Sequence, residues 1–294
     1  MVEEFLNYLT YERNRSELTV KNYCGDLHAF EAYFRNLSSQ LSWESVDSNV
    51  IRGWMESMMD KGNIATSINR RLSALRSFYR FALSKGYVEK NPAYGVVGPK
   101  KSKPLPQFLK ECEMDELLSI TVQEDDFREV RAHTILIMFY ETGVRVAELV
   151  GLNDTSVDFI SKQLKVTGKR NKERIIPFGE ELEETLMRYF SIRNEAIVVN
   201  RKDDALFVTL TGERMSCKQV RAEVKKKLSV VCTLKKKTPH VLRHTFATAM
   251  LNHDANIESV RKLLGHASIS TTEIYTHTTF EQLKRTYKNA HPRA

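Results

Sequence analysis

No apolar run in this sequence is longer than the six residues from Ile135 to Tyr140. Roughly 20 are needed for a membrane-spanning helix, so the sequence predicts no membrane anchor. Glu3 and Glu4 stand where a secretory signal is basic and then apolar, which predicts a cytoplasmic protein. Cysteine is scarce. Cys24, Cys112, Cys217 and Cys232 are scattered without a CxxC pair, which argues against a disulfide framework or a zinc cluster and for free thiols. The glycine patterns that cradle nucleotide phosphates, GxxxxGK[ST] and GxGxxG, do not occur. Nor does an obvious acidic cluster of the kind that holds magnesium in two-metal nucleases. The expectation is chemistry without a cofactor and without a metal.

What the sequence does have is positive charge. The net charge is +8 and the pI about 9.2, with 41% hydrophobic and 28% charged residues in 294, a composition that suits a folded chain of two domains. From Lys61 to Lys103 there are ten Lys/Arg against Glu89 alone, and from Lys218 to Lys237 eight against Glu223 alone. Either run alone reads as a solvated helix face or a basic linker. Two of them in different parts of the chain point to a polyanion held between two lobes, nucleic acid first.

The first 90 residues read as a small helical bundle. Ile64, Ile68, Leu72, Leu75, Tyr79 and Leu83 recur at steps of three and four, which predicts a helix over 64–83 with one buried stripe. Arg70, Arg71, Arg76 and Arg80 fall off that stripe, on a face left for solvent or phosphate. Earlier helices are expected over 2–12, 19–34 and 46–59, the last ended by Lys61-Gly62-Asn63. Four prolines, two glycines and three lysines between Pro92 and Pro106 predict an extended basic linker over 91–107.

The second unit, 108–294, opens with a helix over 126–141 broken at Gly143. A further turn over 144–150 follows, and then short strands over 157–160, 163–167 and 174–178, joined by turns at 161–162 and 168–173. Helices are expected over 180–199, 214–231, 239–253, 256–264 and 279–289. The predicted fold is mainly α: an N-terminal four-helix domain, and a mixed α/β C-terminal domain whose sheet is three-stranded and antiparallel.

Several residues stand out locally, each with an ordinary explanation. His240 and Arg243, three apart at the start of a helix, share a face. His240 and His244 have zincin spacing, but Val241 replaces the glutamate that chemistry requires. Arg145 could be an ion-pair partner of Glu148, Lys169 a solvated turn residue, and Tyr275 a half-buried aromatic.

Together they change the reading. Glu141-Thr-Gly-Val-Arg145-Val-Ala-Glu-Leu149 comes first, and Thr167-Gly-Lys169-Arg-Asn-Lys-Glu-Arg174 second. His240-Val-Leu-Arg243-His and Leu264-Gly-His266-Ala-Ser, then Ile274-Tyr275-Thr-His277, complete the order. This succession resembles the tyrosine recombinases, and among them the simple Xer-type dimer resolvases. Leu72-Ser-Ala-Leu-Arg-Ser-Phe-Tyr-Arg80 resembles the core-binding domain of the same group, so the likeness covers nearly the whole chain. Glu141 departs from the pattern, standing where arginine or alanine is common.

The resemblance implies a catalytic set of Arg145, Lys169, His240, Arg243, His266 and Tyr275. Tyr275 would attack a DNA phosphodiester to give a 3′-phosphotyrosyl intermediate, which conserves the bond energy and removes any need for ATP. The non-bridging oxygens gain charge in that attack, and a pair of guanidinium groups, Arg145 and Arg243, can clamp them bidentately. A phenol with a pKa of about 10 must lose its proton, with His240 the candidate base. His266 would donate to a phosphate oxygen, and Lys169 would protonate the departing 5′-oxygen. The implied partner is double-stranded DNA with paired inverted-repeat half-sites, bound by a homo- or hetero-tetramer. Arg70, Arg71, Arg76, Lys235, Lys236 and Lys237 are candidate DNA contacts. The amphipathic tail of Phe280, Leu283 and Tyr287 is expected to dock on a neighbouring protomer, with packing on its own domain as the plainer alternative. An integrase or invertase of a mobile element, a type IB topoisomerase and an idle DNA-binding accessory protein are the competing readings.

Overall fold

A computed structural model describes residues 1–101, 107–120, 126–168, 171–197, 203–265 and 277–293, with backbone only for 277–282. It divides into two compact units, Met1–Pro104 and Leu105–Ala294. Among the described residues no helix is long and apolar enough to cross a membrane.

The first unit is helical. α1 (Val2–Asn7) runs into a π-helical turn (Tyr8–Glu12), and α2 (Glu17–Leu37), α3 (Ser48–Asp60) and α4 (Ala65–Ser84) follow. Asp47 starts α3 by accepting from the backbone N–H groups of Asn49 and Val50, each at 2.9 Å, which satisfies two donors a helix start leaves open. The stripe read on α4 is buried at Ile68, Leu72, Leu75 and Tyr79, but its ends are not: Ile64 is 68% exposed and Leu83 44%. Phe78 and Phe81 widen the buried face instead, and pack with Phe5, Phe30, Phe34, Trp43 and Trp54 in an aromatic core.

The arginines of α4 have partners inside the protein. Arg70 donates through both terminal nitrogens to Asp26, a carboxylate buried on α2, and Arg71 stands 3.7 Å from it. Arg76 donates to the carbonyls of Ala93 and Val96, and Asn69 donates to that of Pro99 at 2.8 Å. Ala93 and Val96 are themselves in the aromatic core. The stretch expected to be an extended linker is therefore, as far as Pro99, a strap tied to α4. Three carbonyls are held by side chains far away in sequence, an arrangement that composition alone does not reveal.

The second unit starts with α5 (Glu111–Ser119), which the sequence reading passed over although Met114, Leu117 and Leu118 bury one face of it. α6 (Phe127–Thr142) is buried on all sides from Thr134 onward and lies at the centre of the core. α7 (Val146–Val150) leads to β1 (Val157–Asp158), β2 (Gln163–Thr167) and β3 (Glu173–Pro177), antiparallel in the order β1-β2-β3. Leu164 pairs with Ile176 and Val166 with Arg174. Those four residues are buried, so the alternation of the strands turns Arg174 inward. The chain closes with α8 (Glu180–Ala196), α9 (Cys217–Val231), α10 (Pro239–Asn252), α11 (Ile257–Leu264) and α12 (His277–Ala290).

Within the single chain, α12 packs on its own unit. Leu283, Tyr287 and Ala290 are buried in the core of their own unit. Arg293, beyond the helix, binds Asp115 at 2.9 Å and also Glu181. The apolar spacing of the tail is real, and in the single chain its face meets α10, β3 and α11, with Tyr287 also bonded to Glu141 of α6.

Candidate active site

The site forms where α6, α7, β3, α10 and the end of α11 meet. α6 stops at Gly143, whose φ of 58° is left-handed and therefore suited to glycine. A Cβ at this position would lie 2.6 Å from Phe246 and 2.9 Å from Leu264. The break lets the chain turn at once into α7, with Arg145 at its N-terminal cap.

Glu148, one turn into α7, gathers the neighbouring cations. One of its oxygens accepts from the Arg145 backbone N–H at 2.7 Å, and the other from the Arg145 guanidinium at 2.8 Å. Arg174 approaches from β3 and donates to both oxygens at 2.9 Å. Burial alone would raise the pKa of Glu148, but Arg174 first and Arg145 next hold it at about 2. It is ionised at any working pH.

α11 ends at Gly265, again left-handed with φ 62°. The last three carbonyls of this turn each accept from a different arginine. Arg174 Nε donates to Leu263 at 2.8 Å, Arg243 to Leu264 at 2.6 Å and Arg145 to Gly265 at 3.1 Å. A helix C-terminus carries partial negative charge on such carbonyls, so three cations there are electrostatically favoured. Arg243 also donates to the carbonyl of Gly143. The guanidinium groups of Arg145 and Arg243, far apart in sequence, thus reach adjacent carbonyls of one turn.

Two guanidinium groups bind the one carboxylate and a third, Arg243, lies within its electrostatic reach, and the imbalance has consequences. Burial, followed by the nearby charge of Arg145, pushes Arg243 down to about 9, so it remains charged at neutral pH. His240 stands at the start of α10, after Thr238 and with Pro239 in the first turn. Desolvation lowers its pKa first, and Arg243, His244, Arg221 and Arg145 lower it further, so the imidazole is neutral at pH 7. The place carries an excess of positive charge that suits an anion, and a neutral histidine able to take a proton stands beside it.

Of the residues expected from sequence, Arg145, His240 and Arg243 are brought together. Lys169, His266 and Tyr275 lie outside the described residues, although Gly168 beside Lys169 and Gly265 beside His266 both border the Arg174–Glu148 pair. Lys235 and Lys236 are exposed and Lys237 half-buried just ahead of α10. Arg174 was not among the expected site residues. Its signal was a charge two positions from Ile176 on the inward face of a strand.

Comparison with known proteins agrees across the chain. Residues 107–282 match the model of the phage integrase family, and residues 2–86 that of the phage integrase N-terminal SAM-like domain. The chain is 36% identical over 315 residues to tyrosine recombinase XerC of Chlorobaculum tepidum, covering 99% of this chain and 94% of that protein. It is 35% identical over 295 residues to tyrosine recombinase XerD of Oceanobacillus iheyensis, covering 100% and 98%. The fold is similar to that of the XerH site-specific recombinase bound to a palindromic difH substrate. There the TM-score is 0.72 at 21% identity, over 97% of this chain and 83% of the other.

Proposed function

The chain belongs to the tyrosine recombinases, in their Xer-type branch, and is a DNA-binding enzyme of site-specific recombination; on that premise we propose that it resolves chromosome or plasmid dimers in the cytoplasm through a phosphotyrosine on Tyr275. The substrate is double-stranded DNA with paired inverted-repeat half-sites, on which a tetramer assembles.

The observation that carries this reading is the convergence of Arg145 and Arg243 on the Leu264–Gly265 turn, directly before His266. Both hold their positions through protein hydrogen bonds that use one N–H on each terminal nitrogen. The remaining N–H groups are left to clamp the non-bridging oxygens of a scissile phosphate. In the cleavage step the Tyr275 oxygen bonds to phosphorus and the bond to the 5′-oxygen breaks. The phenolic proton goes to neutral His240, and Lys169 supplies a proton to the 5′-oxygen. His266 donates to a phosphate oxygen. Rejoining reverses these transfers with a 5′-hydroxyl as nucleophile. Lys235, Lys236 and Lys237 contact DNA phosphates, as does the solvent edge of Arg70, which stays 44% exposed beside Asp26.

A supercoiled plasmid carrying direct repeats of an inverted-repeat site found near the gene tests the proposal. The expected result is two smaller circles whose formation requires both sites. Relaxation of a plasmid with no site at all would overturn it in favour of a topoisomerase.

A further inference from the structure

We propose that Arg174 is a positioning residue for DNA cleavage, acting through Glu148 to fix the guanidinium of Arg145. The inference rests on the cleavage reading above. Arg174 lies on β3 at a register position opposite Val166, where a strand of this sheet buries its side chain. A cation is costly there unless it is fully paired. The side chain is 6% exposed, and each of its three nitrogens makes a hydrogen bond: Nε to the Leu263 carbonyl, Nη1 and Nη2 to the two oxygens of Glu148.

This geometry leaves Glu148 one orientation. Both of its oxygens are held by the fork of Arg174, and both are also used by Arg145, one by the backbone N–H and one by the side chain. Glu148 Oε1 therefore accepts from Arg174 at 2.9 Å and from Arg145 at 2.8 Å, and the two guanidinium groups are positioned by one atom. The second anchor is the α11 turn. Arg174 packs so closely on Gly265 that a Cβ there would stand 3.1 Å from Nη1, and Arg145 donates to the carbonyl of that same glycine. Arg174 thus sets both surfaces on which Arg145 rests, a carboxylate and a carbonyl, without needing to touch DNA. Lysine offers a single point of attachment and cannot reproduce the fork.

The test measures single-turnover covalent adduct formation on a nicked duplex half-site. It compares wild type, Arg174→Lys, Arg174→Met and the control Arg145→Ala, with half-site Kd and thermal midpoint recorded for each. Arg174→Met should bind within a few-fold of wild type but cleave about 100-fold more slowly, the scale of one lost transition-state donor. Arg174→Lys should fold normally and fall between the two. A neutral methylphosphonate at the scissile position has less charge for Arg145 to neutralise. On that substrate the Arg174 variants and Arg145→Ala should close most of their gap to wild type together. A 5′-bridging sulfur, which removes the need for a leaving-group proton, should not rescue them. Cleavage by Arg174→Lys and Arg174→Met at the wild-type rate overturns the proposal, as does an equal deficit on phosphate and methylphosphonate, which marks a merely structural role. Rescue by sulfur would overturn it in favour of action through Lys169. Absence of any adduct with wild type would instead refute the cleavage reading on which the inference depends.

Discussion

Tyr287 donates a hydrogen bond to the carboxylate of Glu141 across 3.1 Å, inside the core of the second unit. The bond ties α12 to α6, and so ties the segment after Tyr275 to the helix whose end presents Gly143 and Arg145. His291 continues the attachment: it stacks on Tyr287 with ring centroids 5.0 Å apart and reaches the Tyr140 carbonyl at 3.2 Å.

Deletion of residues 279–294 should therefore destabilise the second unit itself. Leu283 and Tyr287 are 3% and 2% exposed, and loss of large buried side chains typically costs roughly 2–5 kcal/mol each. The thermal midpoint should drop by about 10 °C or more. A truncated protein that melts like the full chain would show that the tail is not part of the core.

Glu141 gives this attachment a pH dependence. Burial raises its pKa to about 8, against the stabilising hydrogen bonds of Gly179 and Tyr287, while Glu181 adds repulsion. Burial pushes His291 the other way, to about 4, with Arg293 and His253 acting in the same sense and the Tyr140 carbonyl opposing them. An acid whose folded pKa is raised loses stability as pH climbs from its unfolded range toward the folded value. A histidine whose pKa is lowered loses stability as pH falls below its unfolded range. The two slopes offset one another in mildly acidic solution. Above the ordinary histidine range only Glu141 acts, and the fold should lose ~2 kcal/mol by pH 8. Glu141→Gln should remove that decline, so its melting temperature at pH 8 should equal or exceed that of wild type. A variant curve that falls as steeply as the wild-type curve would assign the effect to another group.

Arg243→Lys should cleave about 100- to 1,000-fold more slowly than wild type while binding a half-site within a few-fold. Arg243 is 7% exposed and spans two carbonyls, those of Gly143 and Leu264, which a single ammonium cannot bridge in the same way. Single-turnover adduct formation beside a binding titration measures both quantities. Wild-type cleavage by the lysine variant would remove the clamp from the mechanism.

Much of this architecture is legible in the sequence because it is local. The alternation in 163–167 predicts β2 with the bounds found, and the apolar steps of 64–83 find α4. The helix break at Gly143 and the sharing of one site by His240 and Arg243 follow from spacing as well. What escaped depends on distant partners. The prolines and lysines after residue 90 look like a linker until Arg76 and Asn69 are seen to hold the carbonyls of Ala93, Val96 and Pro99. That Arg70 and Arg71 share the buried carboxylate of Asp26, 44 positions before Arg70 on another helix, is likewise invisible in the sequence. Arg174 reads as the charged end of a hairpin, and only its register against Val166 turns it inward. The tail's apolar face was visible, but an amphipathic stripe does not record which surface it covers.

Attack of Tyr275 on DNA is tested most directly by trapping the covalent complex. A nicked duplex that loses a short fragment after cleavage prevents rejoining, so each attack leaves protein attached to a 3′-phosphate. Wild type should accumulate an adduct that survives denaturing electrophoresis and maps to the peptide containing Tyr275. Tyr275→Phe keeps the ring and removes only the attacking oxygen, so it should bind the same duplex within a few-fold and form no adduct. Adduct formation by Tyr275→Phe at the wild-type rate would mean that another residue is the nucleophile.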